Sequence, residues 1–135
     1  AGLRIGYGIA SANIINTLKK IKLPFNSSYP AQIAAAAAIE DRDFIEKSLN
    51  MNTEGREHLT KRLQSFGFEV LPSSANFICV RIDPRAAELV AWLESKGVIV
   101  RQLSSFGLPE YVRITVGTKR ENSTLLALLT YLFNK

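Results

Sequence analysis

The order of short apolar segments after residue 67 constrains the fold of this chain more than any other feature. Four segments have the length and apolar pattern of strands: 68–71, 76–82, 98–101 and 111–116. Two segments of helical periodicity separate and follow them, one beginning near Pro84 and one after Thr118. Two successive strand–strand–helix units are typical of a sheet that carries helices on one face. We therefore expect a small α/β sandwich here.

The first 66 residues follow a different pattern. The glycine-punctuated segment 3–10 is typical of a buried strand, and 11–22 has helical spacing. Pro30 favours a helix start, and Asp41 is a candidate N-cap for a further long helix. Because strand 3–10 does not fit the order seen after residue 67, we expect it to belong to the end of another layer.

Composition excludes several classes of protein. The 135 residues are 47% hydrophobic and 21% charged, as in an ordinary globular domain. The net charge of +5 permits nucleic acid, a membrane surface or a small anionic ligand, but the bases are scattered, which argues against a nucleic-acid patch. Cys79 is the single cysteine, so an internal disulfide is excluded and a reducing, cytoplasmic setting is expected. Since the chain starts at Ala1, next to an apolar strand pattern, we expect a piece of a longer protein.

Two arginines occupy informative positions in the strands. Arg113 alternates with Val112 and Ile114, so its side chain is predicted on the face opposite to theirs. Arg101 ends another strand with the same alternation. If the two strands are neighbours, two guanidiniums converge and form a site for a carboxylate or a phosphate. The alternative is that both arginines only solvate an exposed face.

Other residues give weaker signals. Arg4 lies in an apolar strand pattern, where it needs a ligand phosphate or an acidic side chain as its partner. Asn76 stands at a strand start and serves either the turn or a ligand. His58 has no second His or Cys at metal-ligand spacing, so we expect a surface histidine and no metal site. Cys79 is expected to be a packed core thiol.

Three motifs carry a family resemblance: Ala1-Gly2-Leu3-Arg4-Ile5-Gly6-Tyr7, Ser74-Ala75-Asn76-Phe77 and Val112-Arg113-Ile114-Thr115-Val116-Gly117-Thr118. They resemble the fold-type-I aminotransferases and, among these, the histidinol-phosphate aminotransferase branch. The resemblance implies the small C-terminal domain of the aspartate-aminotransferase-like fold, an α/β class, with a strand and long helices leading in from a large domain. It implies that residues 1–28 end the large domain and that 29–135 form the small domain with its inter-domain helices. It also implies pyridoxal 5'-phosphate as cofactor and a homodimer.

The resemblance also implies roles for single residues. Arg4 would bind the cofactor phosphate, Arg113 the substrate carboxylate and Arg101 the substrate phosphate, while Asn76 would lie near the substrate pocket. The parent enzyme would move an amino group between histidinol phosphate and a 2-oxo acid. The lysine that forms the Schiff base in the family lies upstream of Ala1, so no residue of this chain is expected to be catalytic, and the chain alone is expected to be inactive.

Two alternatives remain open. Other amino-acid aminotransferases, or decarboxylases of a phosphorylated amino acid, have the same fold. A stand-alone α/β regulatory module that binds an anionic metabolite through its arginines is the third hypothesis.

Overall fold

The structure is a computed structural model that describes residues 2–133. Ala1, at which the chain was expected to be cut, and residues 134–135 lie outside this range. Close contacts divide the chain into two compact units, one ending at Glu46 and one starting at Lys47.

Helices make up most of the first unit. Helix α1 spans Ala12–Ile21, α2 spans Tyr29–Glu40, and α3, which spans Arg42–Ser65, begins in this unit. Both predicted helix starts are confirmed. Pro30 lies in the first turn of α2, and the Asp41 carboxylate accepts a hydrogen bond of 3.1 Å from the Phe44 amide.

The predicted buried strand over 3–10 is wrong. No strand forms there, and Leu3 and Ile9 have 58% and 92% of their surface exposed. Arg4 adopts φ 57°, in the left-handed region, and a residue in that conformation interrupts an extended strand. In the described part of the chain, residues 5–11 pair with no other strand, so their backbone groups gain no ladder hydrogen bonds.

The second unit contains a sheet that has three strands over the described residues. These are β1 (Phe77–Arg81), β2 (Arg101–Leu103) and β3 (Leu108–Thr115), in the antiparallel order β1-β3-β2. The unit also contains α4 (Ala86–Ser95) and α5 (Lys119–Phe133), and a 3-10 turn, Ser104–Phe106, follows β2. The predicted strand 68–71 is reduced to a single bridge between Val70 and Val80, and the predicted strand 98–101 forms only from Arg101 onward.

Helices α3, α4 and α5 all pack on one face of this sheet. Their buried side chains meet those of β1 and β3 in a single core: Leu59, Leu63, Ile78, Val80, Ile82, Ala86, Leu89, Leu93, Val112, Ile114, Val116, Leu125, Leu126 and Leu129. This confirms the expected sheet with helices on one face. Among residues 2–133, no helix combines the length and the apolar character needed to cross a membrane.

The turn between β3 and α5 is held by side chains. Thr118 and Glu121 form the predicted capping box, in which the Glu121 carboxylate accepts from the Thr118 amide at 2.7 Å. Buried Asn122 uses both ends of its amide on Gly117, accepting from its N–H and donating to its carbonyl, each at 3.0 Å. These bonds fix the end of β3 against the start of α5.

Candidate functional site

Arg101 and Arg113 lie directly opposite each other in the sheet. Their Cα atoms are partners in the β2–β3 register, and Arg113 is also the partner of Cys79 across β1. Side chains at opposite positions of an antiparallel pair have Cβ atoms about 5 Å apart and point to the same face. The expectation that the two strands are neighbours, with both arginines on the same face of the sheet, is therefore confirmed.

The two arginines lie on the face of the sheet that α3, α4 and α5 do not cover. We call this surface the arginine face and define it by Phe77, Cys79, Arg101, Arg113 and Thr115. On β3, the Arg113 side chain alternates with the buried Val112 and Ile114. The alternation therefore divides the strand into one side that forms the core and one side that presents charge.

Each of the two guanidiniums lies against an aromatic ring. The Arg113 Cζ is 5.3 Å from the centre of the Phe77 ring, and the Arg101 Cζ is 5.2 Å from the centre of the Phe106 ring. Both distances are within the range of a cation–π interaction. The sequence interpretation gave neither ring a role. Alternation with Cys79 is a signal that places Phe77 on this face, whereas Phe106 lies in a turn without periodicity.

Arg81 has different partners. It pairs with the carboxylates of Glu69 and Asp83 at 3.7 and 3.5 Å, and Tyr111 donates a hydrogen bond of 3.3 Å to Glu69. Partial desolvation, together with the negative charge of Glu69, raises the pKa of Tyr111 above its usual value. Within the described range, neither Arg101 nor Arg113 forms an ion pair. The two arginines therefore occupy opposite positions on one face without a carboxylate partner, an arrangement that an incoming anion would stabilise.

The remaining candidate residues have other surroundings. Exposed Asn76 directly precedes β1, and its carbonyl accepts a hydrogen bond of 2.9 Å from the Val116 amide. Cys79 is only half-buried on the arginine face, so the expectation of a core thiol is wrong. Arg4 is an exposed residue of the first unit. Within residues 2–133, no cluster of three or more His, Cys, Asp or Glu has the arrangement of a metal site.

Comparison with known proteins identifies the family of this chain. The family model of the class I and II aminotransferases matches residues 1–129. The chain belongs to the aminotransferase class I and II family. The histidinol-phosphate aminotransferase of Moorella thermoacetica is 42% identical over 129 residues. The match covers 96% of this chain but only 33% of that protein, so the chain spans about a third of the length of this relative.

Solved structures of aminotransferases share the fold. A histidinol-phosphate aminotransferase from Clostridium acetobutylicum superimposes with a TM-score of 0.82 at 27% identity, covering 98% of this chain and 42% of that chain. The enzyme of the same name from Sinorhizobium meliloti, in complex with pyridoxal-5'-phosphate, gives a TM-score of 0.78 at 26% identity. That match covers 98% of this chain and 37% of the other. The aspartate-aminotransferase-like fold expected from the sequence is thereby confirmed.

Proposed function

We propose that this chain is the C-terminal part of a pyridoxal-phosphate-dependent aminotransferase that exchanges an amino group between histidinol phosphate and a 2-oxo acid. Residues 1–28 are the end of the large domain, and 29–135 are the small domain with its inter-domain helices. The whole enzyme is a cytoplasmic homodimer. The observation that carries this proposal is the pair of adjacent, carboxylate-free arginines in a chain 42% identical to a histidinol-phosphate aminotransferase.

The two arginines match the anionic groups of the two substrates. Histidinol phosphate carries a phosphate, and a 2-oxo acid carries a carboxylate, which a guanidinium binds through two parallel hydrogen bonds. Arg101, at the exposed edge of the sheet, binds the phosphate, and half-buried Arg113 on the central strand binds the carboxylate. Asn76 is adjacent in sequence to Phe77, whose ring contacts Arg113, and we assign it to the same substrate site. Fixed anion contacts of this kind hold the reacting atoms in position.

Arg4 is the residue of this chain that we assign to the cofactor phosphate. It is exposed, and its permanently charged, planar guanidinium has the donor chemistry that a phosphate requires. When bound, pyridoxal phosphate supplies the electron sink of the reaction. The role of Arg4 is to bind and orient that group, not to transfer a proton.

The activity is tested with the full-length protein. We expect it to transfer the amino group of histidinol phosphate to a 2-oxo acid with a much higher kcat/KM than it shows for histidinol or for aromatic amino acids. The Arg101→Gln variant should lose the preference for histidinol phosphate but retain its activity with histidinol. Equal kcat/KM values for histidinol phosphate and histidinol in the wild-type protein would contradict the proposal.

The 135-residue chain by itself is proposed to be inactive. The Schiff-base lysine of the family precedes the phosphate-binding arginine, and transamination needs that lysine for both the imine and proton transfer. Adding pyridoxal phosphate to this chain should therefore produce neither a stable visible imine band nor amino-group transfer. A stoichiometric imine that disappears in one Lys→Ala variant would show instead that the chain contains its own cofactor lysine.

A further inference from the structure

The way in which a guanidinium is held decides which of its hydrogen-bond donors are available. Its N–H groups lie in the plane of the group and point outward from the edges, whereas an aromatic ring contacts the face. Arg81 forms ion pairs through Nη1 with Glu69 and through Nη2 with Asp83, so two of its terminal nitrogens face carboxylates. Arg101 contacts the Phe106 ring and forms no ion pair within the described residues. The Phe106 ring restricts the positions that this group can take, and within residues 2–133 no carboxylate occupies its donors.

We propose that Phe106 is a positioning residue that orients Arg101 for the phosphate of the substrate. This inference rests on the proposed function, because it concerns the phosphate-binding end of the same site. Phe106 touches Arg101 and acts on the substrate only through it. Without the ring, the exposed side chain of Arg101 would sample several rotamers, and binding of the phosphate would have to select one of them.

The local backbone places the Phe106 ring. The 3-10 turn Ser104–Phe106 ends at Gly107, which adopts the left-handed φ of 75° and donates a hydrogen bond of 3.0 Å to the Ser104 carbonyl. The Gln102 side-chain amide also donates to the Pro109 carbonyl at 3.1 Å, which joins the two sides of the turn. The turn therefore returns the ring toward Arg101, at the start of β2.

Phe106 is suited to mutation because 61% of its surface is exposed, so its replacement should leave the core intact. Phe77, the ring beneath Arg113, is half-buried within β1, and its replacement would disturb the sheet as well. Tyr131, with 72% exposure on α5, provides a matched aromatic control, because α5 packs on the opposite face of the sheet.

The test uses the full-length holoenzyme in a double-mutant cycle of Phe106→Leu and Arg101→Gln, with Phe106→Tyr and Tyr131→Leu as companions. We expect Phe106→Leu to raise the KM for histidinol phosphate about two- to fivefold, the size of an exposed cation–π contact, with kcat changed less. Phe106→Tyr should restore the wild-type KM, and Tyr131→Leu should leave it unchanged. In the Arg101→Gln background, Phe106→Leu should have no further effect on KM.

The outcomes separate this inference from the proposed function. A wild-type enzyme that does not use histidinol phosphate overturns the proposed function, and this inference with it. An active wild-type enzyme with an unchanged KM in Phe106→Leu overturns this inference alone. So does an effect of Phe106→Leu that persists in the Arg101→Gln background, because the ring would then act independently of the guanidinium.

Discussion

The two faces of the sheet in the second unit differ in what stabilises them. Ile78 and Cys79 are neighbours on β1, yet Ile78 is fully buried against the helices and Cys79 lies half-buried beside Arg113. The covered face gains free energy from apolar burial. The arginine face brings two like charges to opposite positions, which costs free energy. A single strand thus contributes to stability on one side and to the proposed anion site on the other.

The largest expected effect concerns the covered face. Replacement of Ile78 by Ala should lower the free energy of unfolding by about 2–5 kcal/mol, because it leaves a cavity among α3, α4 and α5. Cys79→Ala is the matched control one residue away, and its cost should be well under half as large. Urea unfolding of the two variants checks the difference. Equal losses would mean that the two faces are not distinct in packing.

The next largest effect concerns Arg113. In the full-length protein, Arg113→Gln should lower kcat/KM for the 2-oxo acid about 10- to 150-fold, the value of a hydrogen bond to a charged group. Its free energy of unfolding should change much less than that of Ile78→Ala. The control is Arg81→Gln, since the carboxylates of Glu69 and Asp83 already occupy that side chain. A comparable loss of kcat/KM in Arg81→Gln would contradict the prediction that substrate binding depends on Arg113 and not on an ion-paired arginine.

Arg101→Gln should have a smaller effect, of opposite sign, on stability. In the Phe106→Leu background, where no cation–π contact is lost, removal of one of two facing positive charges is expected to raise the free energy of unfolding by about 0.2–1 kcal/mol at low salt. Because Arg101 is exposed, added salt should shrink this gain. Urea unfolding at low and high salt measures both quantities. A double variant that is less stable at low salt than Phe106→Leu alone would contradict this prediction.

The smallest effect concerns Glu121 in the capping box. Hydrogen bonds from the backbone and side chain of Thr118 lower the pKa of Glu121 below its ordinary value of 4.5. A lowered folded-state pKa gives stability that is complete above pH 4.5 and is lost as the pH falls through the folded-state pKa. Glu121→Gln should therefore be less stable than the wild type at neutral pH. Its free energy of unfolding should also fall less steeply as the pH is lowered. Urea unfolding over a range of pH measures this, and parallel profiles of unfolding free energy against pH would contradict the role of ionised Glu121.

Much of the second unit was predictable because its periodicities are strong. The alternation around Arg113 predicted its face, and Thr118 with Glu121 predicted the start of α5. The pairing of Arg113 with Arg101 depended on which strands are neighbours, which periodicity alone does not define. Their register in the structure supplied that information.

Errors arose where a local pattern lacked tertiary support. The segment 3–10 has the apolar residues of a strand, but a strand forms only when another backbone pairs with it. Cys79 was expected in the core because its neighbours are apolar, although its position in the alternation puts it on the arginine face. The contact of Phe106 with Arg101 could not be predicted, since a 3-10 turn of three residues has no periodic signal.

The amide of Asn122 has a consequence for where the charge of Arg113 lies. By bonding to both backbone groups of Gly117, it substitutes for a neighbouring strand, since none of residues 2–133 forms one just beyond the end of β3. A slip of β3 by one residue would break both bonds, and it would also exchange the two sides of the strand, with Arg113 entering the core. The uncharged side chain of Asn122, on the following helix, thus helps to fix the register of β3 and keeps the Arg113 guanidinium on the outer surface.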